Sequence, residues 1–393
     1  MHNDLPFIED EAQRETESDL ESEVEFWSQA VVTASDWTSE TILNQIAKGN
    51  ILLNPSFQRR DAWTVDRKSK FVESIVLGLP IPQIVLAESR EQRGKYLVLD
   101  GKQRLLSLAK FVGLYDFDIY KLKSLDIRAD LNGKTYADLS QDPNFSEELS
   151  SFENQTIRTV LIKNWPNEKF LYTVFLRLNT SSVSLSPQEL RQALHPGKFV
   201  TFVDEESSNS AALRNILNKH EPDFRMRDAE LLVRYFAFKN FLSSYSGSLK
   251  PFLDSCCNEL NENWEARQQE LRYQLEQFEE SHQFTLSIFG QHSYRKWKES
   301  GYENRFNRAV FDLLVLSFSE ATVRSLLSDR KPDVEALFKR LCETDSLFLN
   351  SLEQTTKSLG ATHSRISRWF NSLNEQFGVD LPEYQLIENR ITT

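Results

Sequence analysis

The chain has 393 residues, a mass of 45.7 kDa and a formal net charge of −12. This length is too great for one ordinary hydrophobic core and predicts two or three domains. Hydrophobic residues make up 40% of the chain and charged residues 26%, and no run approaches the roughly 18 apolar residues of a membrane-spanning helix, so we expect no such segment.

The cysteines and the first residues of the chain indicate its cellular compartment. Cys256 and Cys257 are adjacent and Cys342 is remote, which provides neither a disulfide framework nor the CxxC spacing of a structural zinc site. Residues 1–17 contain no basic segment and no apolar run, so we expect no secretory signal. Together these features predict a cytoplasmic protein.

Acidic residues are concentrated at the start of the chain. Residues 1–25 hold ten acids and one arginine, a net charge of −9, which leaves only −3 for the remainder. Such a composition predicts a disordered or loosely helical arm, which we place at residues 1–35. The arm is either a solvated tail or a DNA mimic that occupies a basic groove. Because the rest of the chain is nearly neutral, the overall charge does not argue against a polyanionic ligand.

Residues 36–200 mix short apolar runs with glycine and proline, and they predict an α+β domain with a small mixed sheet. Helical periodicity and caps predict helices at 38–48, 66–77, about 102–112, 167–178 and from 187 onward. Alternating β-rich runs predict strands at 81–88, 95–100 and 157–163, with a short strand near residue 51. Ser186-Pro187-Gln188-Glu189 has the pattern of a capping box.

From residue 205 to 393 glycine and proline become rare, and the periodicity predicts an all-α domain with helices at about 210–244, 250–282, 303–328, 333–357 and 362–377. The first of these carries Arg225, Arg227 and Arg234. These arginines either reach a phosphate or form salt bridges with acids on the same helix face.

The segment Asp100-Gly101-Lys102-Gln103-Arg104 is the strongest candidate for a ligand site. A buried-type strand ends at an acid, turns on glycine and enters a helix whose first N–H groups lack intrahelical partners and favour an anion. Lys102 and Arg104 add two positive charges at the same point. Two other interpretations stay open: Asp-Gly is a common hairpin turn, and Asp100 can serve as a simple N-cap.

An irregular loop upstream combines charge with aromatic residues in the order Pro55, Phe57, Gln58, Arg59, Arg60 and Trp63. Either arginine can reach the same anion, and Phe57 or Trp63 can flank a base.

These pieces, taken in order, resemble the N-terminal domain of GmrSD-type restriction enzymes. The family patterns Pro-x-Tyr-Gln-Arg…Trp, Ser-Ile-x-x-Gly-x-Pro-Ile-Pro and Asp-Gly-Gln-Gln-Arg match residues 55–63, 74–82 and 100–104, with Phe57 for the tyrosine and Lys102 for the first glutamine of the last pattern. A later Phe-x-Arg-Leu-Asn…Leu-Ser-x-x-Glu-Leu-Arg element matches residues 175–191.

The resemblance implies a ParB/sulfiredoxin-like nucleotide-binding fold for residues 36–200, with the helical domain following from 205 to 393. It further implies Mg²⁺-dependent binding and hydrolysis of nucleoside triphosphates that control DNA cleavage in phage defence. Asp100, Gln103 and Arg104 would then be catalytic, with Asp100 also holding the metal. The nucleotide would be bound by the residues Gln58, Arg59, Trp63, Gly101, Lys102 and Asn179.

Longer family members carry an HNH nuclease domain, which requires a histidine base and a metal-binding group. The six histidines of this chain are scattered, so we expect no HNH site. If DNA is cut, either the ParB-like domain cuts it or a separate nuclease or toxin subunit does. Two alternatives to the enzyme stay open: a nucleotide-switched module that binds DNA or a partner without turnover, and an antitoxin-like partner of a separate nuclease.

Overall fold

The structure is a computed structural model that describes residues 7–9, 30–53, 62–114, 119–178, 186–299 and 301–392. Its contacts divide the chain into two compact units. We call Glu21–Leu194 the N-terminal unit, and we call His195–Thr393, together with Met1–Leu20, the C-terminal unit.

The first strand of the chain, β1 (Ile8–Glu9), belongs to the C-terminal unit. The strands of the N-terminal unit are β2 (Val31–Thr38), β3 (Ile84–Glu88), β4 (Tyr96–Asp100) and β5 (Thr156–Lys163). Its helices are α1 (Ser39–Ala47), α2 (Val65–Val76), α3 (Lys102–Val112), α4 (Tyr136–Gln141), α5 (Ser146–Asn154), α6 (Glu168–Leu178) and α7 (Pro187–Leu194).

The four strands form a mixed sheet in the order β2-β5-β3-β4, which confirms the predicted fold class. β5 pairs antiparallel with β2 and parallel with β3, while β3 and β4 form an antiparallel hairpin. The short strand predicted near residue 51 is reduced to a single bridge between Ile51 and Tyr96. The sheet brings the end of β4 next to β3, and this arrangement positions the turn that follows.

The acidic arm predicted for residues 1–35 needs correction at two places. β2 begins at Val31, inside that range, and Ile8–Glu9 pairs in parallel with Arg305 and Phe306. β2 is an edge strand whose first four side chains are exposed. Its sequence therefore lacks the apolar alternation that marks a half-buried strand.

Side-chain caps explain where the first helices begin. Thr38 accepts a hydrogen bond from the N–H of Thr41 at 3.1 Å, and Thr64 accepts one from Arg67 at 3.4 Å. Each cap satisfies an N–H that the helix itself leaves unpaired. The buried faces of α1, α2 and α3 pack with the sheet into one hydrophobic core.

The C-terminal unit is mostly helical, as predicted. Its helices are α8 (Lys198–Asn209), α9 (Ala211–Leu217), α10 (Arg227–Phe241), α11 (Leu249–Glu262), α12 (Trp264–Phe289), α13 (Arg308–Phe318), α14 (Ala321–Leu327), α15 (Lys331–Thr344), α16 (Ser346–Glu353) and α17 (Leu359–Phe377). They surround a second core rich in aromatic side chains. In the part of the chain that the structure describes, no helix combines the length and the apolar character needed to cross a membrane.

Two hairpins in this unit depart from the all-α prediction. β6 (Arg295–Lys298) pairs with β7 (Gly301–Phe306), and β8 (Gln385–Ile387) pairs with β9 (Arg390–Thr392). β7 occupies the start of the predicted helix 303–328, and α13 begins only at Arg308. The hairpin strands are short and mostly polar, so their sequence carries no clear period-2 signal.

Candidate functional site

The turn from Asp100 to Arg104 forms where β4 ends and α3 begins. Gly101 occupies the N-cap of α3 with φ +99° and ψ 9°. A left-handed φ favours glycine, and a Cβ at this position would lie 3.0 Å from Cγ1 of Ile84. The helix that follows excludes the hairpin interpretation of Asp100-Gly101. Because glycine has no side chain to cap α3, the first-turn N–H groups present the positive end of the helix dipole.

Asp100 and Arg104 form an ion pair across this turn. Nη2 of Arg104 donates to Oδ2 of Asp100 at 2.8 Å, with the two side chains 13% and 37% exposed. Nε of Arg104 is buried and has no hydrogen-bond partner among the described residues. A buried donor without an acceptor costs about 1–3 kcal/mol. Arg104 therefore retains a donor for a further acceptor at the turn.

Lys102 points into the unit rather than toward solvent. Its ammonium group pairs with Oε1 of Glu189, and the two side chains are only 5% and 4% exposed. Glu189 also completes the predicted capping box at the start of α7, because its Oε2 accepts from the N–H of Ser186 at 2.6 Å and its own N–H donates to Oγ of Ser186 at 3.1 Å. The charge of Lys102 is therefore compensated within the protein.

Gln103 is buried and connects α3 to the chain that follows the upstream loop. Its Oε1 accepts from the N–H of Ala62 at 3.3 Å, and its carbonyl accepts from Oγ of Ser107 at 2.7 Å. This contact brings the residue that follows loop 54–61 to the first turn of α3. Two of the segments singled out in the sequence thus meet at the site.

Trp63 packs at the edge of the N-terminal core. Its ring lies edge-on to Phe71 at 5.6 Å between centroids, and the guanidinium of Arg67 lies 4.7 Å from the ring centre. Both partners belong to α2. The predicted nucleotide-binding residues Gln58, Arg59 and Asn179 lie outside the described residues.

The capping-box pattern and the family motif both include Glu189, but neither indicates its ion pair with Lys102. Lys102 and Glu189 are 87 positions apart, and no local pattern connects a lysine in one helix with a glutamate in another. The contact of Gln103 with Ala62, 41 positions apart, lacks a sequence signal for the same reason.

His282, one of the histidines considered for a nuclease site, lies in the core of the C-terminal unit. Nδ1 lies 3.0 Å from the Tyr294 hydroxyl and Nε2 lies 3.1 Å from Oδ1 of Asn215. Burial lowers the pKa of His282 to about 4, because desolvation disfavours the charged imidazolium. The neutral ring thus has a structural hydrogen-bonding role here.

Comparison with known families bears on the N-terminal unit. Residues 39–196 match the family described as GmrSD restriction endonuclease, N-terminal domain. This match confirms the resemblance drawn from the sequence motifs, and its range contains Asp100, Lys102, Arg104 and Glu189. It covers less than half of the chain. Among curated proteins, none matches this chain.

Proposed function

Starting from the match of residues 39–196 to the GmrSD restriction endonuclease N-terminal domain, we propose that this chain acts in DNA restriction or phage defence. Its N-terminal unit would bind and hydrolyse a nucleoside triphosphate at the turn from Asp100 to Arg104. The observation that carries this proposal is the uncapped start of α3 beside Arg104, whose buried Nε has no partner among the described residues.

A phosphate suits this turn for three reasons. The first N–H groups of α3 favour an anion, and the left-handed turn at Gly101 places them directly after β4. Arg104 can supply a charge-assisted hydrogen bond from its unused donor. The existing pair of Arg104 with Asp100 is partly exposed. Such an i,i+4 pair contributes only about 0.5 kcal/mol, so a phosphate can replace it at little cost.

Asp100 is compatible with the Mg²⁺ that the family resemblance implies. Mg²⁺ in nucleotide sites is usually held by one or two carboxylates together with substrate phosphates. Asp100 offers one partly exposed carboxylate of which only Oδ2 pairs with Arg104. Asp100 would hold the ion, which would supply charge neutralisation for the phosphates.

Lys102 and Gln103 take positioning roles in this proposal. Lys102 fixes the start of α3 through Glu189, and Gln103 fixes the chain after the upstream loop through Ala62. From the family resemblance we retain Gln58, Arg59, Trp63 and Asn179 as residues that contact the nucleotide.

The test is phosphate release from each of the four common nucleoside triphosphates, with Mg²⁺ and with or without DNA. Replacing Arg104 by Ala removes a charged donor, so we expect nucleotide affinity or turnover to fall about 10- to 100-fold. Arg158→Ala is the matched control, because Arg158 is an exposed arginine of the same unit that pairs with Asp36 at 3.5 Å. Absence of phosphate release in the unaltered protein, or equal activity in Arg104→Ala, would contradict an enzymatic role.

One observation favours a second candidate, a nucleotide-switched module without turnover. The carboxamide oxygen of Gln103, which the family resemblance makes a catalytic residue, already accepts from the N–H of Ala62. A module of this kind would bind nucleotide saturably and change its association with DNA or a partner. Equilibrium binding measured beside single-turnover hydrolysis separates the two candidates, since only the enzyme would convert the bound nucleotide.

A further inference from the structure

The C-terminal unit buries three arginines around one small cavity. Arg234 of α10, Arg308 of α13 and Arg365 of α17 are each at least 96% buried. With Tyr245, Thr356 and Lys357 they line a cavity of about 10 Å³. This is room for one water-sized group.

The arginines differ in how their charge is compensated. Arg308 has its own carboxylate, since its Nε and Nη2 lie 3.1 Å and 3.3 Å from the two oxygens of Glu230. Arg234 forms a bidentate pair with Asp312, with Nε 3.0 Å from Oδ1 and Nη2 bonded to Oδ2. Among the described residues, Arg365 has one acidic contact, 3.9 Å from its Nη2 to Oδ2 of that same carboxylate.

Arg234 and Arg365 thus share one buried carboxylate, and the group of two guanidiniums and Asp312 keeps one excess positive charge. A buried charge without a counter-ion is strongly unfavourable. Burial lowers the pKa of Arg365, which reflects the same desolvation.

Unused donors accompany this excess charge. Nη1 of Arg234 and Nε of Arg365 are buried and have no hydrogen-bond partner among the described residues. Nη1 of Arg365 is already used, since it donates to the carbonyl of Thr356 at 2.7 Å. Both arginines line the cavity, so an acceptor atom placed there lies beside both guanidinium groups.

We propose that this cavity is a binding site for a small anion, which inserts one acceptor atom between Arg234 and Arg365. The proposed ligand is a halide of the size of chloride, or an oxyanion that presents a single oxygen to the cavity. The bound anion joins α10 to α17 and thereby stabilises the helical unit. This inference is independent of nucleotide binding in the N-terminal unit.

The test is thermal unfolding of the full chain at constant ionic strength, with sodium gluconate replaced stepwise by sodium chloride and, separately, by sodium phosphate. Gluconate is the reference anion because it is bulkier than chloride and phosphate. A ligand that binds only the folded state raises the unfolding midpoint saturably, by roughly 2–4 °C for about 1 kcal/mol of binding. Arg365→Met should abolish the rise, because it removes the excess charge and leaves the pair of Arg234 with Asp312 intact.

Arg368→Met is the matched control, since Arg368 lies on the same helix, is partly exposed and pairs with Asp345; it should retain the anion response. If Arg365→Met folds poorly, Arg365→Lys provides a second variant, which keeps the charge and should retain a weakened response. The absence of a response in the unaltered protein, or an equal response in Arg365→Met, overturns the proposal.

Discussion

Replacing Lys102 by Met tests whether the buried ion pair stabilises the site. Methionine has a similar length but no charge, so the change leaves the Glu189 carboxylate buried without its cation. Removing one partner of a buried pair typically costs 3–5 kcal/mol. The hydrogen bond from the N–H of Ser186 to Glu189 remains in the variant, which places the expected loss at the lower end, about 3 kcal/mol.

The double variant Lys102→Met with Glu189→Gln should recover most of this loss. Glutamine is neutral, and it can still accept from the N–H of Ser186 as the capping box requires. We therefore expect the double variant to lie within about 1 kcal/mol of the unaltered protein. Lys70→Met is the matched single control, because Lys70 pairs with Asp126 on the surface with both side chains at least half exposed. Its loss should stay below about 1 kcal/mol.

The measurement is urea unfolding combined with hydrogen exchange of the peptide that covers α3. Exchange reports the unit that contains Lys102 even if the two units unfold separately. The reasoning is refuted if Lys102→Met loses no more stability than Lys70→Met, or if the double variant is as unstable as the single one.

Three further outcomes follow from the structure. Burial lowers the pKa of His282 from 6.5 to about 4, so between these pH values the unfolded chain binds one more proton than the folded chain. The free energy of unfolding should therefore fall by about 3 kcal/mol as the pH drops from 6.5 to 4. This pH dependence should weaken in His282→Gln but not in the control His220→Gln, which alters an exposed histidine. Gly101→Ala should destabilise more than Gly94→Ala in urea unfolding, since both positions have positive φ but only at Gly101 would the Cβ meet neighbouring atoms. Burial raises the pKa of Cys342 to about 12, so a thiol reagent should label it only at the rate of unfolding; rapid labelling of the native protein would contradict this.

Local features of the N-terminal unit could be predicted from the sequence because they depend on residues a few positions apart. The capping box at Ser186 and Glu189 and the glycine turn at Gly101 belong to this group. The helix periodicities of α1, α2 and α3 are of the same kind, and the predicted bounds of these helices lie within one residue of the observed ones. The sequence motifs predicted a GmrSD-type N-terminal domain over residues 36–200, and the family match covers residues 39–196.

What the tertiary structure alone decided is which distant groups meet. No sequence pattern predicts the pair of Lys102 with Glu189, or the contacts of Arg234 and Arg365 with Asp312. Each contact joins two helices, and the separation of two helices along the chain does not determine their distance in space. The edge position of β2 likewise depends on its pairing with β5, more than a hundred residues later. Side-chain periodicity specifies which face of an element is buried, whereas the choice of partner for a buried charge depends on how the elements pack.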